Sequence, residues 1–218
     1  GIRDLVRSRG LGDVYKRQML GAKRRHFGNI VGHVHGVTDN ADLGAWTAEQ
    51  FDPSLDWDKI AKIKEQWGGK VILKGILDAD DARMALKVGA DAIIVSNHGG
   101  RQLDNCLAPL TALPDVVNRV NEVNITRVEQ GLEPVEVYVD GGINRGRDIF
   151  KALALGAKAV LLGRPMIYGM AVGGEHGVNR TVELLRDELK TCMQLGGAQT
   201  VACLLYTSDA ADEGLGVD

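Results

Sequence analysis

The chain has 218 residues, of which 44% are hydrophobic and 25% are charged, and its formal net charge is -3. These values are typical of a globular domain, exclude a disordered or fibrous chain, and leave no basic surface that would favour nucleic acid binding. The three cysteines lack the short spacing of a metal site and their odd number argues against a disulfide framework, so we expect a reducing, cytoplasmic location.

The two ends of the chain differ in composition from its middle. Residues 1–18 and 203–218 resemble translated sequencing-adapter DNA, with GLGDVYKRQ in the first and CLLYTSDAADE in the second. We therefore expect residues 19–202 to be the natural part, cut from a longer domain. Real, disordered termini are the alternative. No apolar run approaches the ~20 residues that span a bilayer, and we expect no signal peptide.

Between these ends, short apolar strands alternate with helices. Helices are predicted at 56–67, where Asp56 or Asp58 is the N-cap, and at 78–88, where Asp78 or Asp80 is the N-cap. The other predicted elements are strands at 71–73, 92–95, 135–139 and 159–162 and helices at 109–123, 147–155 and 178–195. The polar stretch 124–134 predicts a loop extension.

Strand–helix units in tandem imply parallel strands with right-handed crossovers, and so an α/β fold. Glycines follow the strands, as in a barrel or an open doubly wound sheet. Both architectures place their chemistry at the carboxyl ends of the strands. The residues that follow each predicted strand are therefore the candidates for a functional site.

Polar side chains follow the first two of these strands. Lys74 comes directly after strand 71–73, and either reaches solvent or points its charge into a site. His98 and Arg101 follow strand 92–95. Histidine suits proton abstraction near neutral pH, and arginine can bind a carboxylate through two parallel hydrogen bonds. Each residue alone would indicate a structural role, but together at a strand end they favour a site.

Glycine-rich turns follow the last two strands. Asp140 precedes Gly141 and Gly142, and Gly163 closes the fourth strand. Such turns at helix N-termini present N–H groups to an anion, and Arg145 or Arg164 can add charge. The pattern favours a phosphate site of the barrel type, with a pair of tight turns as the alternative. No G-x-G-x-x-G fingerprint follows a strand, which argues against a Rossmann domain.

Four stretches in collinear order resemble one enzyme family. They are FDPSLDW at 51–57, ILKGIL at 72–77, VSNHGGRQLD at 95–104, and the segment that runs from DGG at 140–142 to GR at 163–164. On these residues the chain resembles the FMN-dependent α-hydroxy-acid dehydrogenases and oxidases, and within them the flavin L-lactate dehydrogenases. The resemblance implies the C-terminal half of a (β/α)₈ TIM barrel, since a whole barrel takes ~250 residues.

The resemblance also implies a role for each matched residue. His98 would be the catalytic base, which takes the hydroxyl proton in a hydride transfer or the α-proton in a carbanion route. Arg101 would bind the substrate carboxylate, and Lys74 would lie beside the pyrimidine edge of FMN. The family has arginine at the position of Asn144, so one phosphate contact would be weaker here or would come from Arg145. The full set implied to bind FMN is Lys74, Ser96, Asp140, Gly141, Gly142, Asn144, Arg145, Gly163 and Arg164.

The resulting hypothesis is an FMN-dependent oxidoreductase that oxidises an L-2-hydroxy acid, with L-lactate as the expected substrate. Its electron acceptor would be a quinone, a cytochrome or oxygen. A glycolate-type oxidase is an alternative, and so is an inactive half-barrel for the isolated chain. Other flavin barrels, similar to isopentenyl-diphosphate isomerase or IMP dehydrogenase, should lack the pair of His98 and Arg101. The resemblance further implies a homo-oligomer at full length, cytoplasmic or peripheral at the inner face of the membrane.

Overall fold

The computed structural model describes residues 30, 33–38, 40–50 and 53–204. Of the two predicted adapter-like ends, only Cys203 and Leu204 fall within the described residues. The chain divides into two units, Gly1–Leu55 and Asp56–Asp218. In the first unit, helix α1 spans Asn40–Gln50. Just before it, the N–H and hydroxyl of Thr38 both donate to the Asp42 carboxylate, at 3.0 and 2.6 Å.

The second unit is a four-stranded parallel sheet with the strand order β1-β2-β3-β4. This confirms the predicted α/β class and the parallel strands. The elements, in chain order, are α2 (Trp57–Trp67), β1 (Ile72–Ile76), α3 (Ala79–Lys87), β2 (Ala92–Val95), α4 (Pro109–Glu129), β3 (Glu136–Asp140), α5 (Gly146–Ala154), β4 (Ala159–Leu161) and α6 (Arg164–Leu195).

Aspartate side chains fix the start of two helices. The backbone N–H of Lys59 donates to Asp56 at 2.9 Å, so Asp56 rather than Asp58 caps α2. Asp78 rather than Asp80 caps α3, because it accepts from the N–H groups of residues 80 and 81. Each cap satisfies N–H groups that have no partner within the helix.

The core lies on one face of the sheet, where alternate strand residues meet the helices. Side chains along a strand point to opposite faces in turn, and one set, which includes Ile93, Val95, Val137 and Val139, is buried in a cluster with residues of α3, α4 and α5. The other set carries the polar side chains Lys74, Ser96 and Asp140. The sheet therefore has an apolar face toward these helices and a partly polar face opposite.

Helix α4 is longer than predicted, and the expected loop at 124–134 is wrong over 124–129. The polar residues that suggested a loop bond to the returning chain instead. Asn124 accepts from Val135 N–H at 2.8 Å and donates to Val135 O at 3.0 Å. Arg127 donates to Glu133 O at 3.1 Å. Pro114 lies within α4, in its second turn, so the helix continues past it.

Helix α6 begins at Arg164, whereas the sequence predicted a helix only from residue 178. Glycines hid its first part: the helix bends at Gly173 and Gly174, both of which have non-helical backbone angles. The bend brings Gly169 so close to Gly177 that a Cβ on Gly177 would overlap the Gly169 carbonyl oxygen. Glycine is thus required where the two arms of α6 touch. None of the helices within the described ranges is long and apolar enough to cross a membrane.

Candidate active site

A pocket of about 350 Å³ opens at the carboxyl end of the sheet, where all four strands end. This is the edge at which parallel α/β folds bind ligands. The lining residues are Lys74, His98, Gly99, Arg101, Asp140, Gly141, Gly142, Ile143, Asn144, Leu161, Leu162, Gly163, Arg164, Pro165 and Ile167. The structure thus brings together nine of the eleven residues predicted from the sequence.

Lys74 lies inside β1 rather than after it, which corrects the predicted strand end. The register between β1 and β2 shifts between Lys74 and Ile76, because Gly75 adopts a positive φ of 101° there. Such bulges redirect side chains next to functional sites. The Lys74 ammonium lies 3.1 Å from the Asp140 carboxylate, so β1 and β3 are joined by an ion pair inside the pocket.

Ser96 is the tenth predicted residue and lies beneath the pocket, not in its lining. It is 1% exposed, and its hydroxyl oxygen accepts from Lys74 Nζ at 2.9 Å and from His98 N–H at 3.0 Å. A buried hydroxyl is stable only when it is hydrogen-bonded. Ser96 therefore connects the cation on β1 to the backbone of His98.

His98 stands on a left-handed turn. His98, Gly99 and Gly100 have φ values of 54°, 67° and 70°, and Gly100 N–H closes the turn by donating to Asn97 O at 3.0 Å. A positive φ is unfavourable for a residue with a Cβ, although histidine tolerates it better than most, and such strain concentrates at functional sites. The turn exposes His98 and, directly after it, Arg101 to the pocket.

Arg101 has no ion-pair partner among the described residues. Its guanidinium lines the pocket from an exposed position. An arginine with free donors beside a histidine suits a ligand carboxylate. By contrast, Arg164 already donates to Gly99 O at 2.8 Å across the pocket.

Two buried oxygens near the pocket lack a hydrogen-bond partner in the described part of the chain: Asn97 Oδ1 and Asp140 Oδ1. Native proteins rarely leave buried acceptors unpaired, so these oxygens indicate a missing donor. Beside them, Gly141 and Gly142 have φ values of 87° and 76°. A Cβ on Gly142 would meet open space, so this turn leaves room for a ligand against the backbone.

Arg145, the eleventh predicted residue, is not in the pocket. Its guanidinium lies 2.8 Å from Glu188 of α6 and lines a separate hollow on the outside of α5 and α6. The pKa of Arg145 is raised by its hydrogen bond to Glu188, and the pKa of Glu188 is lowered by the same bond. The predicted replacement of one phosphate contact by Arg145 therefore finds no support in this geometry.

The N-terminus of α5 is also occupied by protein carboxylates. The N–H groups of Asn144 and Arg145 donate to Asp148, and that of Gly146 donates to Glu188 at 2.7 Å. These are the donors that a helix offers to an anion. An anion in this pocket can therefore be bound by the turn at Gly142 and by the start of α6, but not by the start of α5.

Sequence reasoning missed several residues of the site. Asn97 and Gly99 lie inside a motif that was noted, so adjacency to His98 could have found them. Ile167 could not be identified because its helix was not predicted. The other apolar residues that line the pocket carry no sequence pattern that marks them as site residues: Ile143, Leu161, Leu162 and Pro165. No group of three or more His, Cys, Asp or Glu that could hold a metal occurs among the described residues.

Known proteins resemble this chain over most of its length. A model of the FMN-dependent dehydrogenase family matches residues 10–209. The chain is 45% identical to 2-hydroxyacid oxidase 1 of Mus musculus over 75% of this chain and 41% of that protein. It is 42% identical to an L-lactate dehydrogenase of Pseudomonas putida (strain GB-1), over 80% of this chain and 43% of that protein.

A solved structure of the monotopic membrane protein (S)-mandelate dehydrogenase aligns with a TM-score of 0.67 and 36% identity, over 78% of this chain and 42% of that one. The chain therefore spans less than half the length of the relatives it matches. The family resemblance read from the sequence is confirmed, as is the assignment of the fold to part of a TIM barrel.

Proposed function

The chain belongs to the FMN-dependent dehydrogenase family, and on that basis we propose that its full-length gene product oxidises L-2-hydroxy acids, with L-lactate as substrate and pyruvate as product. One observation carries this proposal: a histidine, a lysine and an arginine that has no ion-pair partner among the described residues share one pocket at the carboxyl end of a parallel sheet. The names of the relatives, 2-hydroxyacid oxidase and L-lactate dehydrogenase, support the substrate class.

The pocket fits FMN, the cofactor of the family. A flavin phosphate needs N–H donors and positive charge, which the glycine turn at Gly142 and Arg164 supply. The polar edge of the flavin ring needs both hydrogen-bond donors and hydrogen-bond acceptors from the protein. Lys74 is a donor there. The oxygens of Asn97 and Asp140 that accept no hydrogen bond within the described part of the chain can accept from a ligand N–H or hydroxyl. FMN, when bound, supplies the acceptor for the two electrons that leave the substrate.

Arg101 binds the substrate carboxylate in this proposal. A planar guanidinium pairs with a carboxylate through two parallel N–H donors, which fixes both the position and the rotation of a small acid. Because Arg101 is the third residue after His98, the same turn sets the distance between carboxylate and base. Orientation of this kind accounts for much of an enzyme's rate acceleration.

In this proposal His98 takes the proton of the substrate hydroxyl while the α-hydrogen leaves the carbon with its electron pair for the acceptor, so that the C–O single bond becomes the C=O bond of the ketone. Nδ1 of His98 faces Lys74 at 3.4 Å, so Nε2 is the nitrogen left to receive that proton. Nε2 can accept only when the neutral ring carries its own proton on Nδ1. A base that accepts through Nε2 therefore requires a Lys74 ammonium that no longer donates to Nδ1. The positive charge of Lys74 lies beside His98, where it can stabilise negative charge that develops in the reaction.

We propose for the complete protein the remaining properties drawn from the family. The acceptor that reoxidises the cofactor is a quinone, a cytochrome or oxygen, the last in a glycolate-type oxidase. The protein is a homo-oligomer that is either cytoplasmic or peripherally attached to the inner face of the membrane. That attachment takes support from the neighbour described as a monotopic membrane protein. From the adapter-like ends rather than from the family, we also propose that residues 19–202 are the natural segment.

Anaerobic flavin reduction tests the proposed activity. The full-length gene product should be yellow as purified and should bleach on addition of L-lactate. Glycolate and (S)-mandelate are tested as alternative substrates in separate, parallel assays. His98→Asn is the sharpest variant, because asparagine tolerates the positive φ at this position. It should keep the flavin and lose about 10²- to 10⁴-fold in the rate of reduction. Bleaching at the wild-type rate would remove His98 from its role.

A further inference from the structure

The guanidinium of Arg164, at the start of α6, donates to the carbonyl oxygen of Gly99 at 2.8 Å. This bond joins the end of β4 to the turn after β2, 65 residues away in sequence. We propose that Arg164 is a positioning residue: it holds the left-handed turn His98–Gly100 and so sets the places of His98 and Arg101. The inference rests on the proposed function, which assigns those two residues to the substrate.

The turn depends on hydrogen bonds for its shape. His98, Gly99 and Gly100 are exposed, so no apolar packing fixes them. Local bonds hold the backbone, among them those from His98 N–H to Ser96 Oγ and from Gly100 N–H to Asn97 O. Among the described residues, Arg164 is the only long-range partner of the turn backbone. His98 is the residue of this turn that pays for a positive φ, since its other members are glycines, and we expect the turn to relax when a bond of this kind is lost.

The chemistry of arginine suits both tasks at once. A guanidinium has five N–H donors in a fixed plane, and the bond to Gly99 uses one of them. The others remain for an anion in the pocket that Arg164 also lines. An anion bound there restrains the guanidinium, and the guanidinium restrains the turn. Binding of a phosphate group is thereby coupled to the position of the residues that meet the substrate.

Amide hydrogen exchange in the cofactor-free, full-length gene product tests this coupling. Loss of the bond in Arg164→Met should speed exchange at the His98 and Gly100 amides about 2- to 10-fold, the range for one exposed hydrogen bond. Exchange in β2 should stay at the wild-type rate, which separates a local change from unfolding. Inorganic phosphate should slow exchange of the two turn amides in the wild type and leave them unaffected in Arg164→Met.

A matched control lies on the same helix. Arg180 forms a surface pair with Glu183 at 3.0 Å, so Arg180→Met removes an arginine from α6 without touching the turn. Its turn amides should exchange at the wild-type rate. If Arg164→Met unfolds the protein, the β2 amides will exchange faster as well, and the Arg164→Lys variant is then used in its place. Lysine keeps the charge but lacks the planar set of donors, so phosphate should protect the turn less than in the wild type.

Steady-state kinetics of the FMN-saturated enzyme give a second readout. A residue that only binds the cofactor would lower FMN affinity and leave kcat unchanged at saturation. A positioning residue moves His98 and Arg101, so Arg164→Met should lower kcat and raise KM together even when FMN is saturating. Unchanged turn amides in Arg164→Met would overturn the inference, even if FMN affinity fell. Absence of FMN binding in the wild type would instead defeat the proposed function.

Discussion

The ammonium of Lys74 lies 3.4 Å from Nδ1 of His98, and the same ammonium is held by the Ser96 hydroxyl at 2.9 Å and by Asp140 at 3.1 Å. An ammonium donates hydrogen bonds and cannot accept them. Nδ1 is therefore the acceptor in this contact, and a neutral His98 carries its proton on Nε2. That is the wrong tautomer for a base that acts through Nε2.

The tautomer of His98 can be measured directly. In the cofactor-free protein, the ¹⁵N chemical shifts of the ring should identify Nε2 as the protonated nitrogen at a pH where the imidazole is neutral. Lys74→Met should remove this preference and give a mixture of both tautomers, because methionine has no donor for Nδ1. A wild-type ring protonated on Nδ1 would show that Lys74 does not control His98.

Arg101→Met should weaken substrate binding more than it affects the cofactor. Loss of a charge-assisted carboxylate contact costs about 1.5–3 kcal/mol, so KM for L-lactate should rise roughly 10- to 100-fold while FMN affinity stays unchanged. The variant should also discriminate less than the wild type between the free acid and its methyl ester. Arg180→Met, with its arginine outside the pocket, serves as the control. An unchanged KM in Arg101→Met would exclude a carboxylate role.

Gly146→Ala should destabilise the protein. A Cβ on Gly146 would overlap the backbone of Leu189 and the side chain of Glu188, so α5 and α6 would have to separate. Overpacking of this kind costs about 1–3 kcal/mol, and the midpoint of chemical unfolding should fall accordingly. Gly44→Ala is the control, because a Cβ there meets nothing within 4 Å. Equal midpoints for the two variants would contradict the close contact of α5 with α6.

Asp91 should make the stability of the second unit depend on pH in the acid range. Burial, the largest single influence, raises the pKa of Asp91, but hydrogen bonds from Lys64, Val71 N–H and Lys70 together outweigh it and lower the pKa from 3.8 to about 2. A lowered carboxyl pKa stabilises the fold above pH 4, and this stabilisation is lost as the pH falls through about 2.

The measurement is the free energy of unfolding of the wild type and of Asp91→Asn across that range. The wild type should exceed the variant by about 1 kcal/mol above pH 4, a figure reduced for solvent screening of a carboxylate that is 23% exposed. The difference should shrink toward pH 2. Lys64→Met should weaken the same pH dependence, since it removes the strongest donor to Asp91. A difference that grew toward low pH would have the wrong sign.

The sequence was sufficient to predict which residues lie at the carboxyl ends of the strands. Parallel strands with crossover helices bring those ends to one edge, so Lys74, His98, Asp140 and Arg164 could be grouped without coordinates. The direction of a side chain was not predictable in this way. Arg145 neighbours the glycine turn in sequence, yet it points to Glu188, 43 positions further along the chain.

The errors in the predicted elements also arise because tertiary contacts cannot be seen in the local sequence. The polarity of Asn124 and Arg127 predicts a loop, but their hydrogen-bond partners are backbone atoms on the far side of the next loop. The first arm of α6 contains glycines that disfavour a helix locally, and the contact between Gly169 and Gly177 that requires them is visible only in three dimensions. Local propensity is a weak guide where tertiary contacts dictate the residue.

The two hydrogen bonds between Asn124 and Val135 have a consequence for how this protein can vary. They attach the residue directly before β3 to helix α4. The position of β3, and with it that of Asp140 in the pocket, is therefore held by pairing with β2 and β4 and by this amide, rather than by the loop at 130–134. Insertions or exchanged sequences in that loop can therefore be absorbed at the surface without displacing the pocket. The loop is a suitable place to graft a tag or a spectroscopic probe.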